Sequence, residues 1–328
     1  MSPPSLVSIP EHLGSGFGQL TTADEVLADI DLASKVVMIS GGYSGIGLET
    51  TLAFQRAGAV VVVLARRTDV ASEALGQLER VEIYEMDLSD LHSVESFANQ
   101  WLATGRTIDI IINNAAIMAW PETRVGPGWE ATFAINHLGH FVLVNRLKEA
   151  LSPIGSRIVA VASSGHFLSD VRWDDLHFEH NYDWWQSYGQ SKTANILFAL
   201  HLDKLGAKLG IHAFSLHPGY IITPLQRHIP EKDKIEYGWR TPDGSLPEGF
   251  KTPQQGAATT AWAATSPLLD DHGGAYCQDC DIAVPYKDTG NFEHDMNVGG
   301  VKPYALDSDA AAKLWKISSE LTGVDSFE

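Results

Sequence analysis

The chain has little cysteine, no long apolar run and few basic side chains. Its two cysteines are too few for the disulfide scaffold of a small secreted protein. No apolar run reaches the roughly 18 residues of a membrane-spanning helix. The 41 acidic and 23 basic side chains give a formal charge of −18, which disfavours nucleic acid or an anionic membrane as a partner. The N-terminus shows no basic segment followed by an apolar core, so we expect no signal peptide and a cytoplasmic protein.

The two cysteines form a Cys277-x-x-Cys280 pair, which a redox site or half of a zinc site would also show. Zinc needs four ligands, and no matching pair among the thirteen histidines lies nearby. The sequence instead predicts a last core strand over Gly274–Ala283, with both cysteines as small packed residues. We expect no metal site.

A nucleotide site is indicated near the start of the chain. Residues 35–40 predict a buried strand, a glycine-rich turn follows at 41–47, helical periodicity runs to Gly58, and Val60–Leu64 predicts a second strand. Glycines let a pyrophosphate approach the backbone, and the helix N-terminus offers free N–H groups and a positive dipole end. The turn by itself is weak evidence, but its strand and helix context predicts a dinucleotide site. The expected contacts are Ser40, Gly41, Tyr43, Ser44, Gly45, Ile46 and Gly47.

The end of the second strand indicates which cofactor is bound. An NAD site usually has a carboxylate here, whereas an arginine accommodates the 2′-phosphate of NADP. The sequence has Ala65-Arg66-Arg67, and Asp69 follows too late for the carboxylate role. Both arginines could be ordinary loop charges, but we predict that Arg66 binds NADP, with NAD the less favoured cofactor.

Tyr188 and Lys192 open a stretch with helical periodicity over residues 188–209, so both project from one helix face. A cation beside a phenol favours the phenolate and lowers its pKa toward working pH, which suits acid–base chemistry. Such a pair by itself is more often a solvated helix edge. The nucleotide site upstream favours the catalytic interpretation.

The spacings Gly41-x3-Gly45-x-Gly47 and Tyr188-x3-Lys192 together resemble the short-chain dehydrogenase/reductase family, over about residues 30–285. Further motifs occur in that family's order. The resemblance implies cofactor contacts at Asp87, Leu88, Asn114, Ala115, Ala116, Tyr188, Lys192, Pro218, Gly219, Ile221 and Thr223. Within the family the chain is similar to the retinol-dehydrogenase-like and WW-domain-oxidoreductase-like branch and its bacterial relatives. The signatures of that branch are residues 136–141, 191–195 and 217–219.

Two positions depart from the family pattern. Ser40 replaces a threonine and keeps the hydroxyl. Ala116 replaces the last glycine of the Asn-Asn-Ala-Gly turn, which puts a methyl group where cofactor and backbone approach closely. This bears on cofactor affinity but removes no catalytic group.

The resemblance also implies catalytic roles. Tyr188 would protonate a carbonyl oxygen as hydride reaches the carbon, and Lys192 would lower the tyrosine pKa and hold the nicotinamide ribose. Ser164, chosen over Ser163, would hydrogen-bond the substrate oxygen, and Asn136 would support a water relay to Lys192. The favoured function is an NADP(H)-dependent oxidoreductase that interconverts an apolar ketone or aldehyde, including aromatic or polycyclic ones, and its alcohol. The alternative is a non-catalytic dinucleotide sensor or scaffold on the same fold, although such proteins commonly lose the tyrosine or lysine.

The alternation of short strands and helical segments predicts an α/β fold with a doubly wound, Rossmann-type parallel sheet. We expect an N-terminal arm and short helix at 1–30, with a Thr22–Glu25 capping box, and the oxidoreductase domain at 31–285. Residues 224–252 are predicted to be a substrate lid, and 286–328 a C-terminal extension ending in a helix. Aromatic residues between Ser164 and Tyr188 either wall the substrate or pack loops. The expected partner is a small-molecule substrate, and a homodimer or homotetramer is considered.

Overall fold

The computed structural model of the protein describes residues 6–7 and 12–328. An eight-stranded sheet, in the order β10-β9-β8-β7-β4-β1-β2-β3, forms its centre, and every neighbouring pair is parallel except β9 and β10. Its strands are β1 Val36–Ser40, β2 Val60–Ala65, β3 Val81–Glu85, β4 Ile110–Asn113, β7 Ser156–Val161, β8 Ile211–His217, β9 Tyr276–Gln278 and β10 Asp281–Ile282. A separate small hairpin pairs β5 Arg124–Val125 with β6 Trp129–Glu130.

Helices cover both faces of the sheet. In β1, Val37 and Ile39 pack into the core layer that contains α2 and α10, while Met38 packs into the opposite layer. Alternate side chains of a strand point to opposite faces, so this run is apolar on both sides. The predicted doubly wound fold is confirmed. The helices are α1 Ala23–Leu27, α2 Gly45–Arg56, α3 Thr68–Leu75, α4 Leu91–Leu102, α5 Ala131–Phe133, α6 Gly139–Arg146, α7 Trp184–Gly206, α8 Glu231–Glu236, α9 Pro253–Gly256, α10 Ala258–Thr265, α11 Phe292–Val298 and α12 Ser308–Thr322.

The topology places a crevice at the carboxyl ends of β1 and β4. From β1 the chain moves outward to β2 and β3, then returns to β4 on the other side of β1. Parallel α/β sheets bind ligands at such a switch point. The two strand ends are tied together, since the Asn114 backbone N–H donates to Ser40 Oγ at 3.0 Å and the Asn114 amide donates to the Ser40 carbonyl at 2.8 Å.

The N-terminal helix begins as predicted. Thr22 and Glu25 form a reciprocal capping box at the start of α1, which confirms that prediction. Residues 1–5 and 8–11 of the predicted arm lie outside the described residues. The described part contacts the end of the sheet, because the backbone N–H groups of Leu13 and Gly14 donate to the Asp281 carboxylate. The division into arm, domain and extension stays a prediction.

Two sequence predictions need correction. The segment 274–283 is a hairpin, not one strand: β9 and β10 are antiparallel, and Asp279 and Cys280 between them have φ of 51° and 61°. Both cysteines are buried and unbonded, and burial raises the pKa of both thiols. The helix that carries Tyr188 and Lys192 begins at Trp184, four residues before Tyr188, because Asp183 caps its N-terminus through the Gln186 N–H.

The C-terminal extension covers α6 and α7. Trp315 of α12 is 2% exposed, stacks on Phe198 of α7 at 5.8 Å between ring centroids, and meets Phe141 of α6 edge-on at 4.8 Å. His137 and the Ser318 hydroxyl lie 2.7 Å apart across the same junction. None of the helices in the described part of the chain is long and apolar enough to cross a membrane.

Candidate active site

A long cavity runs along the carboxyl ends of the central strands. Every residue predicted to contact the cofactor lines it. Two halves can be distinguished by their lining. The cofactor half is defined here as the part lined by residues 40–41, 43–47, Arg66, Asp87, Leu88 and 114–116. The substrate half is the part beyond Tyr188, lined by Met118, Trp185, Tyr220, Leu225, Trp239, Phe250 and Met296.

The cofactor half fits a dinucleotide. The twelve-residue helix α2 begins at the cavity, and its N-cap Ser44 makes no side-chain capping bond, so first-turn N–H groups are free for an anion. Gly41 has φ of 65°, and a Cβ there would lie 3.0 Å from the Cβ of Ala115. Gly45 has φ of 54° and faces Thr223 at a similar distance. A pyrophosphate at the helix N-terminus would therefore meet bare backbone.

Ser40 hydrogen-bonds the turn at residues 114–116, which lines the cofactor half. Its Oγ accepts the backbone N–H groups of Asn114 and Ala115, both at 3.0 Å, and lies 2.8 Å from His140 Nε2. His140 Nδ1 faces the Asn136 carbonyl at 3.1 Å, and burial lowers the pKa of His140 to about 4. A neutral imidazole that donates from Nδ1 accepts the Ser40 hydroxyl at Nε2, so the hydroxyl at position 40 fixes the turn at 114–116.

The two arginines after β2 differ in their partners. Arg67 makes a bidentate ion pair with Asp69, with nitrogen–oxygen distances of 2.9 and 2.8 Å. Arg66 is exposed, lines the cavity, and has no ion pair within the described chain. Asp87 is held in its own turn by the Ser89 N–H and hydroxyl. Arg66 is thus the guanidinium available to a phosphate.

Tyr188 and Lys192 lie together where the two halves meet. Lys192 Nζ donates to the Val161 carbonyl at 2.8 Å and lies 5.5 Å from the centre of the Tyr188 ring. Burial lowers the pKa of Lys192 to about 7. Burial also raises the pKa of Tyr188 to about 12, opposed by a hydrogen bond from Ser163. Burial therefore dominates the pKa of Tyr188, and the lowering of this pKa by Lys192 stays a prediction.

The choice of Ser164 over Ser163 stays a prediction, and the structure offers Ser163 as a second candidate. The Ser163 hydroxyl opposes the effect of burial on the pKa of Tyr188, and it also accepts the Gly165 N–H at 3.0 Å. Ser164 Oγ instead faces the Tyr220 hydroxyl at 3.3 Å, and its backbone N–H donates to His217 Nδ1. Successive residues of an extended segment point in opposite directions, so the two adjacent serines face different neighbours. The choice of Ser164 came from the resemblance to the retinol-dehydrogenase-like branch.

Asn136 is fully buried in a π-helical turn over Ala134–Leu138. Its amide is occupied by structural bonds to Ile117 and to Ser191 Oγ. Its carbonyl lies 2.8 Å from the side-chain nitrogen of Asn195, with the Asn195 amide oriented to donate. The water-relay role of Asn136 stays a prediction. A water at the Asn136 carbonyl would also contact the side chain of Asn195.

Aromatic and aliphatic side chains surround Tyr188 in the substrate half. Met118, Ala119, Tyr188 and Ile229 form a buried cluster, against which Trp184, Trp185, Leu225 and Trp239 pack. Of the predicted apolar groups in residues 224–252, Trp239 and Phe250 line the cavity and Ile229 is 3% exposed beside Tyr188. Ile235 and Leu246 are exposed and do not face it. Tyr220 and Met296 also line the cavity, and neither was predicted: Tyr220 is a variable position of its motif, and Met296 lies far along the chain.

Known proteins with related sequences show which family this chain belongs to. The sequence pattern of the family described as short chain dehydrogenase matches residues 35–234. The chain belongs to the short-chain dehydrogenase family. It is 40% identical over 302 residues to a probable oxidoreductase of Streptomyces lividans, covering 89% of this chain and 98% of that one. It is 34% identical to a short-chain dehydrogenase/reductase of Penicillium roqueforti, covering 95% and 92%.

Solved structures agree on the fold. A structure of an uncharacterised protein from Mycobacterium paratuberculosis is 30% identical, with a TM-score of 0.70 and coverage of 92% of this chain and 98% of that one. A gluconate 5-dehydrogenase from Burkholderia cenocepacia, solved with NADP and tartrate, is 21% identical, with a TM-score of 0.59 and coverage of 76% and 95%. As a short-chain dehydrogenase the protein is an oxidoreductase, and the family binds NAD(P). The retinol-dehydrogenase-like branch stays a prediction.

Proposed function

We propose that this short-chain dehydrogenase is an NADP(H)-dependent oxidoreductase that interconverts an apolar ketone or aldehyde and its alcohol. The observation that carries the proposal is the position of Tyr188, which lies beside Lys192 at the junction between a dinucleotide-shaped crevice and an apolar pocket. A carbonyl oxygen placed there meets a proton donor and a second hydroxyl.

The bound cofactor would supply the hydride, while the chain supplies position and proton. In the reducing direction the substrate carbonyl carbon accepts the hydride, and the oxygen takes the proton of the Tyr188 hydroxyl. The Ser163 hydroxyl donates to the same oxygen and stabilises the charge that develops there. Lys192, 5.5 Å from the Tyr188 ring, stabilises the resulting phenolate when protonated. A tyrosine that stays neutral in its buried site is suited to act as the acid.

NADP is the proposed cofactor because of the charges after β2. Arg66 lines the cavity without an ion pair in the described chain, whereas Arg67 is occupied by Asp69. A free guanidinium binds a phosphate with charge-assisted hydrogen bonds. No carboxylate follows β2 before Asp69, so the ribose diol of NAD lacks its usual partner here.

The apolar pocket supports the substrate class. Trp185 and Trp239 line it, with 5.8 Å between their ring centroids, and Met118 packs in the same cluster. Such a lining takes up apolar and aromatic groups and leaves few partners for a polyhydroxylated substrate. The sensor or scaffold alternative is disfavoured, because Tyr188 and Lys192 are retained and relatives are named oxidoreductases.

The test is a panel of apolar and polar ketones, aldehydes and alcohols with NADPH, NADP⁺, NADH and NAD⁺, followed by absorbance of the reduced nicotinamide. We expect turnover of apolar carbonyls with NADPH at a higher kcat/KM than with NADH. Tight NADPH binding without turnover of any compound would favour the sensor instead. Preferential turnover of polyhydroxylated substrates would refute the substrate class while leaving the reaction type intact.

A further inference from the structure

The C-terminal extension reaches the cavity at one point. Met296 of α11 lines the substrate half. Its carbonyl accepts the hydroxyl of Tyr220 at 2.8 Å. The Tyr220 hydroxyl in turn faces Ser164 Oγ at 3.3 Å, one residue after the Ser163 that contacts Tyr188. A chain of hydrogen bonds therefore connects the end of β7 to α11 across the pocket wall.

Several contacts hold Tyr220 in the cavity wall, so its hydroxyl has a defined position. Its ring meets His217 at 5.5 Å and Phe250 at 6.0 Å. Its carbonyl accepts the Lys251 N–H at 2.8 Å. The Lys251 side chain is 2% exposed and pairs with Asp279 at 2.6 Å, which ties this segment to the β9–β10 hairpin.

The Lys251 side chain also explains why residue 219 is a glycine. Gly219, directly before Tyr220, has φ of 101°, and a Cβ there would lie 2.7 Å from Lys251 Cδ. The backbone leading to Tyr220 rests on this buried side chain. Because the ring, the carbonyl and the preceding backbone are all fixed, the hydroxyl of Tyr220 can act as an anchor for Met296.

Helix α11 is also held by contacts on both sides of Met296. Asp295, next to Met296, is 2% exposed, and its carboxylate accepts the Tyr286 hydroxyl at 2.9 Å and the Thr289 hydroxyl at 2.6 Å. Gly300, just after the helix, donates its N–H to Gln278 of β9 at 3.0 Å. With both flanks fixed, the Tyr220 bond sets how far Met296 enters the pocket.

We propose that Met296 is a specificity-determining residue of the substrate site and that Tyr220 is the positioning residue that holds it there. The inference rests on the proposed function and deepens it, because it assigns the wall that limits the size of the ketone. An unbranched thioether adapts to apolar and aromatic groups, so this wall favours apolar substrates and sets their length. The C-terminal extension, outside the matched residues 35–234, thereby completes the site.

The experiment changes the size of this wall. The variants Met296→Ala and Met296→Phe are compared with wild type on acetophenone and benzophenone, or on the smallest and largest ketones of the panel that wild type reduces. One methylene in an apolar pocket changes kcat/KM by roughly 10-fold or more. We expect Met296→Ala to shift the bulky-to-compact ratio of kcat/KM by about 10-fold toward the bulky ketone, and Met296→Phe to shift it the other way. Val298→Ala, an exposed change on the same helix, should leave the ratio unchanged.

Tyr220→Phe tests the positioning role. Loss of one net hydrogen bond should raise KM for the ketone about five-fold while kcat and the NADPH dissociation constant stay within two-fold of wild type. If Tyr220 acts through Met296, adding Tyr220→Phe to Met296→Ala should change KM little, because the side chain that it positions is gone. If the role of Tyr220 were purely structural, Tyr220→Phe would change KM equally in wild type and in Met296→Ala. That result would overturn the assignment of Tyr220 as a positioning residue.

The outcomes separate this inference from the proposed function. Wild type that reduces no carbonyl compound refutes the proposed function and this inference with it. Active wild type, with both Met296 variants binding NADPH normally and an unchanged ratio, removes only the inference. NADPH titration of each variant reports folding independently of turnover.

Discussion

In the cofactor half of the cavity, glycines and uncapped backbone N–H groups face the cleft, and the charged side chains are Arg66 and Asp87. In the substrate half, tryptophans, Phe250 and Met296 face it. The first half is built by the ends of neighbouring strands and one helix. The second is assembled from four segments far apart in the chain. Changes in the first half should therefore alter cofactor affinity, changes in the second should alter substrate KM, and changes at the junction should alter kcat.

The largest effect is expected at the junction. Tyr188→Phe removes the proton donor but keeps the ring that packs with Met118 and Ile229. General acid catalysis contributes roughly 10² to 10⁴-fold, so we expect kcat to fall by at least about 10²-fold. The NADPH dissociation constant, measured by fluorescence titration, should stay near wild type. Tyr84→Phe, a tyrosine of β3 outside the cavity, is the matched control. Substantial turnover by a folded Tyr188→Phe protein would mean that another group is the acid.

The two adjacent serines, Ser163 and Ser164, test which hydroxyl acts with Tyr188 at this junction. Ser163→Ala removes the hydroxyl that bonds Tyr188, and loss of one donor to a developing oxyanion lowers kcat by roughly 10²-fold. Ser164→Ala removes only the contact to Tyr220, so we expect a change of less than about five-fold, mainly in KM. Steady-state kinetics of both variants measures the difference. A larger loss of kcat in Ser164→Ala would support the choice of Ser164 made from the sequence and contradict the role proposed for Ser163.

The serines also show where sequence reasoning stops. Parallel strands, the glycine turn and the Thr22–Glu25 capping box were predictable, because each follows from local chain geometry. The other residues that line the cofactor half were predicted from the family resemblance. The direction of a side chain at the end of β7 depends on where the strand stops and the next turn begins, which is a matter of one residue. The burial that raises the pKa of Tyr188 comes from residues distant in the chain, as does the approach of Met296. Long-range packing of this kind leaves no local pattern.

A smaller effect is expected in the cofactor half. Arg66→Ala should weaken NADPH binding by roughly 1 to 3 kcal/mol, because a charge-assisted hydrogen bond to the 2′-phosphate is lost. NADH, which lacks that phosphate, should bind almost unchanged. The matched control is Arg67→Ala, whose guanidinium is occupied by Asp69 and should matter less. Fluorescence titration of wild type and both variants with NADPH and NADH gives the six dissociation constants. Equal affinity of wild type for NADPH and NADH would contradict the NADP assignment.

The smallest effect concerns residues 224–252, which we predicted to form a substrate lid. One end follows Thr223 at the cofactor half, and the other is held by Lys251. Between them Ile229 is buried beside Tyr188, while Ile235 is 39% and Leu246 47% exposed. The segment is thus firmly packed at its start and loosely packed over about residues 238–249, where no helix or strand forms. A surface loop that stays packed on the domain would show the same contacts as a lid. A measurement of motion distinguishes the two.

Hydrogen exchange with and without NADPH plus a non-reducible substrate analogue makes that distinction. If the segment closes over the substrate, amides of residues 238–249 should exchange roughly tenfold more slowly in the ternary complex, because closure excludes water and orders the chain. Amides near Ile229 should change little, since that side chain already packs against Tyr188. Peptides of α12 serve as the internal control, as this helix packs on α7 away from the cavity. Slow exchange over 238–249 in the free protein, unchanged by ligands, would mean that the segment is permanently packed and that the substrate half is closed by side chains alone.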